Sequence, residues 1–172
     1  MIDFGAKLLS LDATIRDSRI VVWTLTGDMA FRLCWGDQPN FAIALGGFHP
    51  HFQPPPGFPA LRRLTVGLGA GDWIRITCSS YQALTSNSLQ FGARAELYIN
   101  AGVYVKGWIG FDALIIYSPF SLEVDISAGL EIGAGGVKMA GVHLDGTLTG
   151  PTPWRVRGRR RSRSSSSTSP ST

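Results

Sequence analysis

Ser-Leu-Glu-Val-Asp-Ile-Ser-Ala-Gly-Leu-Glu-Ile, residues 121–132, is the stretch that decides the fold. Leu122, Val124, Ile126, Ala128, Leu130 and Ile132 fall on one side of a two-residue repeat. Glu123, Asp125, Ser127, Gly129 and Glu131 fall on the other. Side chains alternate across a strand, so this rhythm predicts a β-strand with one apolar and one polar face. A helix would scatter the three acids around its circumference.

The same rhythm runs outward in both directions. Leu89, Phe91, Ala93, Ala95, Leu97 and Ile99 oppose Gln90, Arg94, Glu96 and Tyr98. After Asn100-Ala101-Gly102 come Val103, Val105, Ile109, Phe111, Ala113 and Ile115, opposite Tyr104, Lys106, Trp108 and Asp112. Two such runs around a short glycine turn predict a long hairpin. Ser118-Pro119 breaks the pattern before residue 121. The Gly133–Gly136 segment turns the chain, and Ala140, Val142, Leu144 and Leu148 form a further strand that ends at Gly150-Pro151.

The first half is less regular. Leu9–Ile15, Ile20–Thr26 and Met29–Trp35 read as strands, with turns expected at Asp17-Ser18 and Gly27-Asp28. Asn40–Leu45, Leu61–Leu68 and Trp73–Cys78 complete the set, the last two joined at Gly69–Asp72. The expected fold is all-β: about nine or ten antiparallel strands joined in sequence as a meander, open as one sheet or folded into a sandwich or open barrel. Residues 1–154 form the β domain and residues 155–172 a tail without structure. One segment stands apart, Gly46–Pro59, with five prolines that deny ladder hydrogen bonds. It reads as an ordered loop whose Phe48, Phe52 and Phe58 pack down on the sheet.

Composition narrows the function classes. Of 172 residues, 44% are hydrophobic and only 16% charged, against roughly 25% charged in ordinary domains. The formal net charge is +4, yet six of the sixteen basic residues are Arg155, Arg157, Arg159, Arg160, Arg161 and Arg163. The body therefore carries ten basic against twelve acidic residues, 10 − 12 = −2, and no basic footprint for nucleic acid. Cys34 and Cys78 make neither a disulfide framework nor a zinc spacing and are expected as separate half-buried thiols. No signal peptide and no transmembrane helix is visible, which leaves a barrel open and the compartment unassigned.

The tail, Arg-Val-Arg-Gly-Arg-Arg-Arg-Ser-Arg followed by a serine-rich run, cannot bury apolar area. It has two readings. One is an arginine-serine segment that binds nucleic acid or takes phosphate. The other, which fits better, is a frame change: one GC-rich nucleotide string encodes residues 160–172 in one frame and Ala-Ser-Phe-Ser-Ile-Leu-Phe-Phe-Asp-Ile-Ser-Val-Asp one base away. That second peptide has the alternation of a strand. With strand pattern already established near Lys7, the chain reads as a fragment of a larger domain, with edge strands prone to self-association.

Four motifs carry a family resemblance: Leu-Gly-Gly-Phe-His-Pro-His-Phe through Leu-Thr-Val at residues 45–66, residues 83–98, residues 107–130, and His-Leu-Asp-Gly-Thr-Leu-Thr-Gly-Pro-Thr-Pro-Trp-Arg-Val-Arg-Gly at 143–158. Together they resemble a bacterial family of very large β-rich proteins, domain-of-unknown-function family 6603, over residues 42–158. The resemblance implies a hydrophobic strand after the Pro-Trp block, where this chain departs. It implies no activity, so no functional residue is carried over.

The candidate chemical groups each have a simpler account. His49-Pro50-His51 would place two imidazoles on one side of an extended segment, but no Cys, Asp or Glu stands nearby in sequence to complete a metal set. His143 and Asp145 share a strand face without a Gly-x-Ser-x-Gly elbow. Gly133–Gly136 and Gly67–Gly71 precede strands, whereas a phosphate cradle needs a helix. Glu123, Asp125 and Glu131 are explained by a solvated strand face, and Trp108, Tyr104 and Tyr98 by cross-strand pairing. No residue is assigned as catalytic, metal-binding or cofactor-binding, and no cofactor is expected. The function expected is a non-catalytic structural or interaction module. A lipid-binding groove or membrane barrel segment is the alternative, and an enzyme on a β scaffold the remote one. The partners considered are other domains of a parent protein, a second copy through edge strands, lipid, and nucleic acid only through the Arg-rich tail.

Overall fold

The computed structural model describes residues 1–71 and 73–164. They form eleven strands: β1 (Ile2–Asp3), β2 (Leu8–Ile20), β3 (Trp23–Cys34), β4 (Asn40–Leu45), β5 (Leu64–Ala70), β6 (Ile74–Thr85), β7 (Ser88–Asn100), β8 (Val103–Ile116), β9 (Ser121–Ala134), β10 (Val137–Gly150) and β11 (Arg155–Ser164). There is no helix among the described residues, hence none long and apolar enough to cross a membrane. All eleven strands belong to one antiparallel sheet in the order β1-β2-β3-β4-β6-β7-β8-β9-β10-β11. β1 and β11 lie at its two ends, so the all-β class holds in its open, single-sheet form.

β5 shares a lane with β4. The Met29–Cys34 half of β3 pairs with β4, and the Trp23–Thr26 half pairs with β5. β6 divides in the same way on the other side. The chain therefore leaves the lane after Leu45, makes the proline-rich excursion, and re-enters it at Leu64 in the same direction.

The neck of that excursion is tied at Asp28. The Asp28 carboxylate accepts from the Arg62 backbone N–H (2.9 Å), from its Nε (3.0 Å) and from its terminal nitrogen (2.9 Å). Gly46 donates its N–H to the Asp28 carbonyl at 2.7 Å. Arg62's side-chain and backbone hydrogen bonds hold the Asp28 carboxyl well below its ordinary value of 3.8. A carboxyl depressed in the folded state contributes stability above its unfolded value and loses it as pH falls through the folded one. Asp28→Asn is therefore expected to flatten the fall in stability below about pH 4, as measured by urea denaturation at a series of acid pH values, relative to the parent chain.

The N-terminal turns differ from the expected ones. Asp17-Ser18 sits inside β2, where the register with β3 shifts between Ile15 and Ser18, and Gly27-Asp28 sits inside β3. The chain instead reverses at Val21-Val22, between the paired Ile20 and Trp23. Val21 has φ 60, a conformation β-branched residues avoid, so ordinary turn chemistry pointed elsewhere. The other correction is at the C-terminal end. Residues 155–164, expected as part of a structureless tail, form β11 along β10 from Thr149↔Arg155 to Ala140↔Ser164. Backbone pairing needs no apolar side chains, and an arginine-rich edge strand discourages further pairing. Residues 165–172 of the expected tail lie outside the described residues.

Alternation holds across the sheet, but burial is inverted relative to the simplest expectation. Apart from Ala113, the most deeply buried residues lie on the polar face, and beneath the proline-rich loop Ala42, Ala44, Tyr81, Ala83, Ser88 and Gln90 are at most 3% exposed. Ala42, Ala44 and Ala83 make a shallow floor on which Phe48, Phe52, Phe58 and Leu61 lie. Phe48 stacks on Phe52 (5.4 Å between ring centroids) and meets Phe58 edge-on at 4.9 Å. Small residues on three neighbouring lanes let the loop approach closely, and burying each phenyl ring is worth about 1.5–3 kcal/mol. Among the described residues, nothing covers the apolar face in this way.

Candidate functional site

The loop that supplies this core also delivers chemistry. His49 and His51 leave it toward the polar face. There β8 presents Asp112 and β9 presents Glu123 and Asp125, with Asp112 directly opposite Asp125 in the register. Thr147 of β10 is opposite Asp125 on the other side. Two-residue alternation places all four on one face, and the loop sets the histidines above them.

The geometry is specific. His51 Nδ1 lies 2.7 Å from Glu123 Oε1 and 4.0 Å from Asp125 Oδ2. His49 Nε2 lies 4.0 Å from the same Asp125 oxygen. Thr147 Oγ1 donates to the other oxygen, Asp125 Oδ1, at 2.6 Å. The two imidazoles meet edge to face with centroids 5.4 Å apart. His49 is fixed from three directions. Its N–H donates to Gln90 Oε1 (2.9 Å), its Nδ1 accepts from the His51 N–H (3.2 Å), and its ring is buried. Gln90 in turn donates to Ser88 Oγ, which shares a proton with Thr85 Oγ1.

Beside the histidines, Arg63 donates to the carbonyls of Gly46 and Phe48 and lies 3.8 Å above the Tyr81 ring. The Tyr81 hydroxyl is buried next to Asp112. Gly92 makes this arrangement possible: a Cβ there would stand 2.4 Å from the Tyr81 ring and 2.7 Å from Asp112 Oδ1. Pro50, Arg63, Tyr81 and Asp112 border a pocket of about 290 Å³.

Electrostatics separate the two histidines. Burial lowers His49, with nearby carboxylates opposing the shift. Glu123's hydrogen bond and charge raise His51, which stays accessible to solvent. Burial raises Tyr81 first of all, and the Asp112 charge adds to it. The patch therefore holds a buried ring shifted down by its burial, an accessible ring shifted up by Glu123, and three carboxylates.

A family model matches residues 1–163 of this sequence. The chain belongs to that family, described as "Family of unknown function (DUF6603)". The match extends beyond the 42–158 span of the quoted motifs and takes in β1–β3 and most of β11. No curated protein and no solved structure matches this DUF6603 chain.

Within the DUF6603 chain the other sequence candidates stay apart from the histidine cluster. Glu131, grouped by alternation with Glu123 and Asp125, binds Lys138 Nζ (2.7 Å) and accepts from the Tyr104 hydroxyl (3.0 Å). His143 and Asp145 bond to each other at 3.0 Å on an exposed stretch of β10. Tyr98 stacks on Tyr104 of the neighbouring strand at 6.4 Å, the cross-strand contact expected, whereas Trp108 reaches across Gly129 of β9 to meet the His143 ring of β10 edge-on at 5.2 Å. Cys34 and Cys78 are free thiols, and Cys78 is exposed rather than half-buried.

What alternation alone missed is the meeting of loop and sheet. His51 and Glu123 are 72 residues apart in sequence. The signals that pointed toward it were local: a His-Pro-His in an aromatic loop, and alanines on the opposite strands that leave room for it.

Proposed function

We propose that this chain is a non-catalytic structural or interaction module of a large multi-domain bacterial protein, and that its uncovered apolar face packs against another protein surface. The observation that carries this reading is the exposure of large apolar side chains on central strands. Ile109 is 62% exposed, Ile126 54%, Leu130 49%, Leu144 48% and Phe111 40%. The face runs across the eight lanes from β2 to β10, about 35 Å at ~4.8 Å per lane. It exceeds the few hundred Å² of apolar patch that ordinary monomers tolerate. A single sheet reaches stability by burying such a face against a second layer. Its width suits a protein layer better than one acyl chain, which would occupy a groove only a lane or two across.

The test compares the parent chain with a Phe111→Lys/Ile126→Lys variant, two residues paired across β8 and β9. Concentration-dependent association in sedimentation velocity and binding of a hydrophobic dye are expected for the parent and lost in the variant. A parent chain that stays monomeric and binds no dye overturns the reading. Lipid extracted in stoichiometric amount from the purified chain replaces it with an acyl-chain surface, and turnover on a defined substrate class replaces it with an enzyme.

The one-base frame change stays our proposal for residues 160–172. On the β10–β11 register, Arg160 and Ser162 occupy apolar-face positions opposite Leu144 and Val142. The alternative-frame peptide carries Ala and Phe at those two places. Sequencing the locus tests it, and an intact frame with no strand-like continuation one base away ends it.

A further inference from the structure

We propose that His51, Glu123 and Asp125 bind one divalent transition-metal ion, Zn²⁺ by the chemistry of the donor set, and that His49 positions Asp125 for it. The site is on the polar face and is independent of the apolar face discussed above.

One donor atom from each of the three residues lies within 4.8 Å of the others. Nitrogen and oxygen ligands sit roughly 2.0–2.2 Å from zinc, so two donors on one tetrahedral ion are about 3.4 Å apart. The present separations, 2.7 Å from His51 Nδ1 to Glu123 Oε1 and 4.0 Å to Asp125 Oδ2, bracket that value. Closing the set needs side-chain rotations, for which His51, its side chain 63% exposed, has open solvent on one side.

His49 supplies the independent observation. Its side chain is wholly buried and its Nε2 has no hydrogen-bond partner among the described residues. Because Nδ1 accepts from the His51 N–H, a neutral ring carries its proton on Nε2. A buried N–H without an acceptor is costly, and this one points toward Asp125 Oδ2, 4.0 Å away. Drawing Asp125 onto an ion, or placing an ion-bound water in the gap, supplies the acceptor. Asp125 would then be held by Thr147 at one oxygen and by His49 at the other, the kind of outer support that ligating carboxylates have.

Charge points the same way. Asp112, Glu123 and Asp125 bring three negative charges together, and Asp112 faces Asp125 directly, an unfavourable cross-strand pairing. Arg63 contributes one positive charge, and with both imidazoles in the neutral form that ligation requires, His51 having released its proton to solvent, the patch sums to 1 − 3 = −2. A dication balances it. One imidazole with two carboxylates favours Zn²⁺ over Mg²⁺ or Ca²⁺, which select all-oxygen sets, and over Cu⁺, which selects sulfur. Three protein donors leave a position for water.

The test uses the full chain, stripped with chelator and titrated with Zn²⁺ by calorimetry, and with Co²⁺ to read coordination from its visible absorption. One Zn²⁺ per chain is expected, with no comparable binding of Mg²⁺ or Ca²⁺. Glu123→Gln and Asp125→Asn, each nearly isosteric, are expected to weaken Zn²⁺ binding 100-fold or more. His49→Leu should weaken it about 10- to 100-fold with stoichiometry unchanged and a shifted Co²⁺ spectrum, and His49→Gln, which keeps an N–H donor, should recover part of the loss. His143→Ala, in the other histidine–carboxylate pair of this face, should change nothing. Circular dichroism checks the fold of each variant. Should one unfold, the parent decides alone: its melting temperature rises with Zn²⁺ if the site exists. No binding by the parent, binding that survives Glu123→Gln/Asp125→Asn, or equal loss in His143→Ala overturns the proposal. Unchanged affinity in a folded His49→Leu overturns the role given to His49.

Discussion

Gly46→Val is expected to lower the stability of the chain by about 2–5 kcal/mol in urea denaturation. Gly46 has φ +70, where a β-branched residue is disfavoured. A Cβ at this position would also stand 2.5 Å from the Ser80 carbonyl oxygen and 2.8 Å from the Leu64 nitrogen. Both are backbone atoms, one on the neighbouring strand β6 and one at the loop's re-entry into its own lane, so neither yields by rotating a side chain. The substitution strikes the point where β4 gives way to the loop. Relief would come by parting Gly46 from Asp28, to which it donates at 2.7 Å, and loosening the neck. Gly57→Ala, in the same loop with φ +75 but no atom within 4 Å, isolates the conformational share of the cost and is expected to be the milder of the two.

Gln90→Leu is expected to cost about 2–4 kcal/mol even though the side chain volume is nearly conserved. Gln90 is 0% exposed, and its two ends join loop to sheet. Its carbonyl oxygen accepts from the His49 backbone N–H, and its amide donates to Ser88 Oγ. Leucine would fill the space and leave the His49 N–H buried without an acceptor. Ser88 keeps its bond to Thr85, so most of the loss falls on the loop. Equilibrium denaturation gives the magnitude. Faster hydrogen exchange at His49 and His51, with β8–β9 unchanged, would localise it to the loop.

These two expectations rest on a part of the structure that the sequence rhythm did not display. The rhythm itself was legible where strands are long and glycine turns short. In β7–β10 the residues assigned to the apolar side, from Leu89 to Leu148, do share one face in the register. The turn at residues 100–102 falls where Asn-Ala-Gly placed it, with Gly102 at φ +85. The N-terminal turns were not legible, because the chain reverses at Val21, a β-branched residue at φ 60, while the better turn formers, Asp17 and Gly27-Asp28, continue strands. Asp28 is needed as a strand residue because its carboxylate holds Arg62, a partner 34 positions away. β11 was hidden by its composition, since backbone pairing with β10 does not depend on apolar side chains.

Burial was legible only in part. Alternation says which side chains share a face, not which face is covered. The alanines at 42, 44 and 83 and the phenylalanines of the loop were all visible, but the choice of the polar face for docking follows from where the β4–β5 lane is interrupted. The candidate site suffered the same limit: the His49–His51 pair and the Glu123, Asp125 and Glu131 row were weighed apart from each other. Only the landing of the loop brings them within a few ångströms.

That landing is the central claim, and a nuclear Overhauser measurement tests it most directly. In the isotope-labelled chain, cross-peaks are expected between the His51 ring protons and the Glu123 side chain, together with cross-strand peaks that fix Phe111 opposite Ile126. Cross-strand peaks for β8 and β9 without any contact from His51 or His49 to residues 123–125 would contradict it.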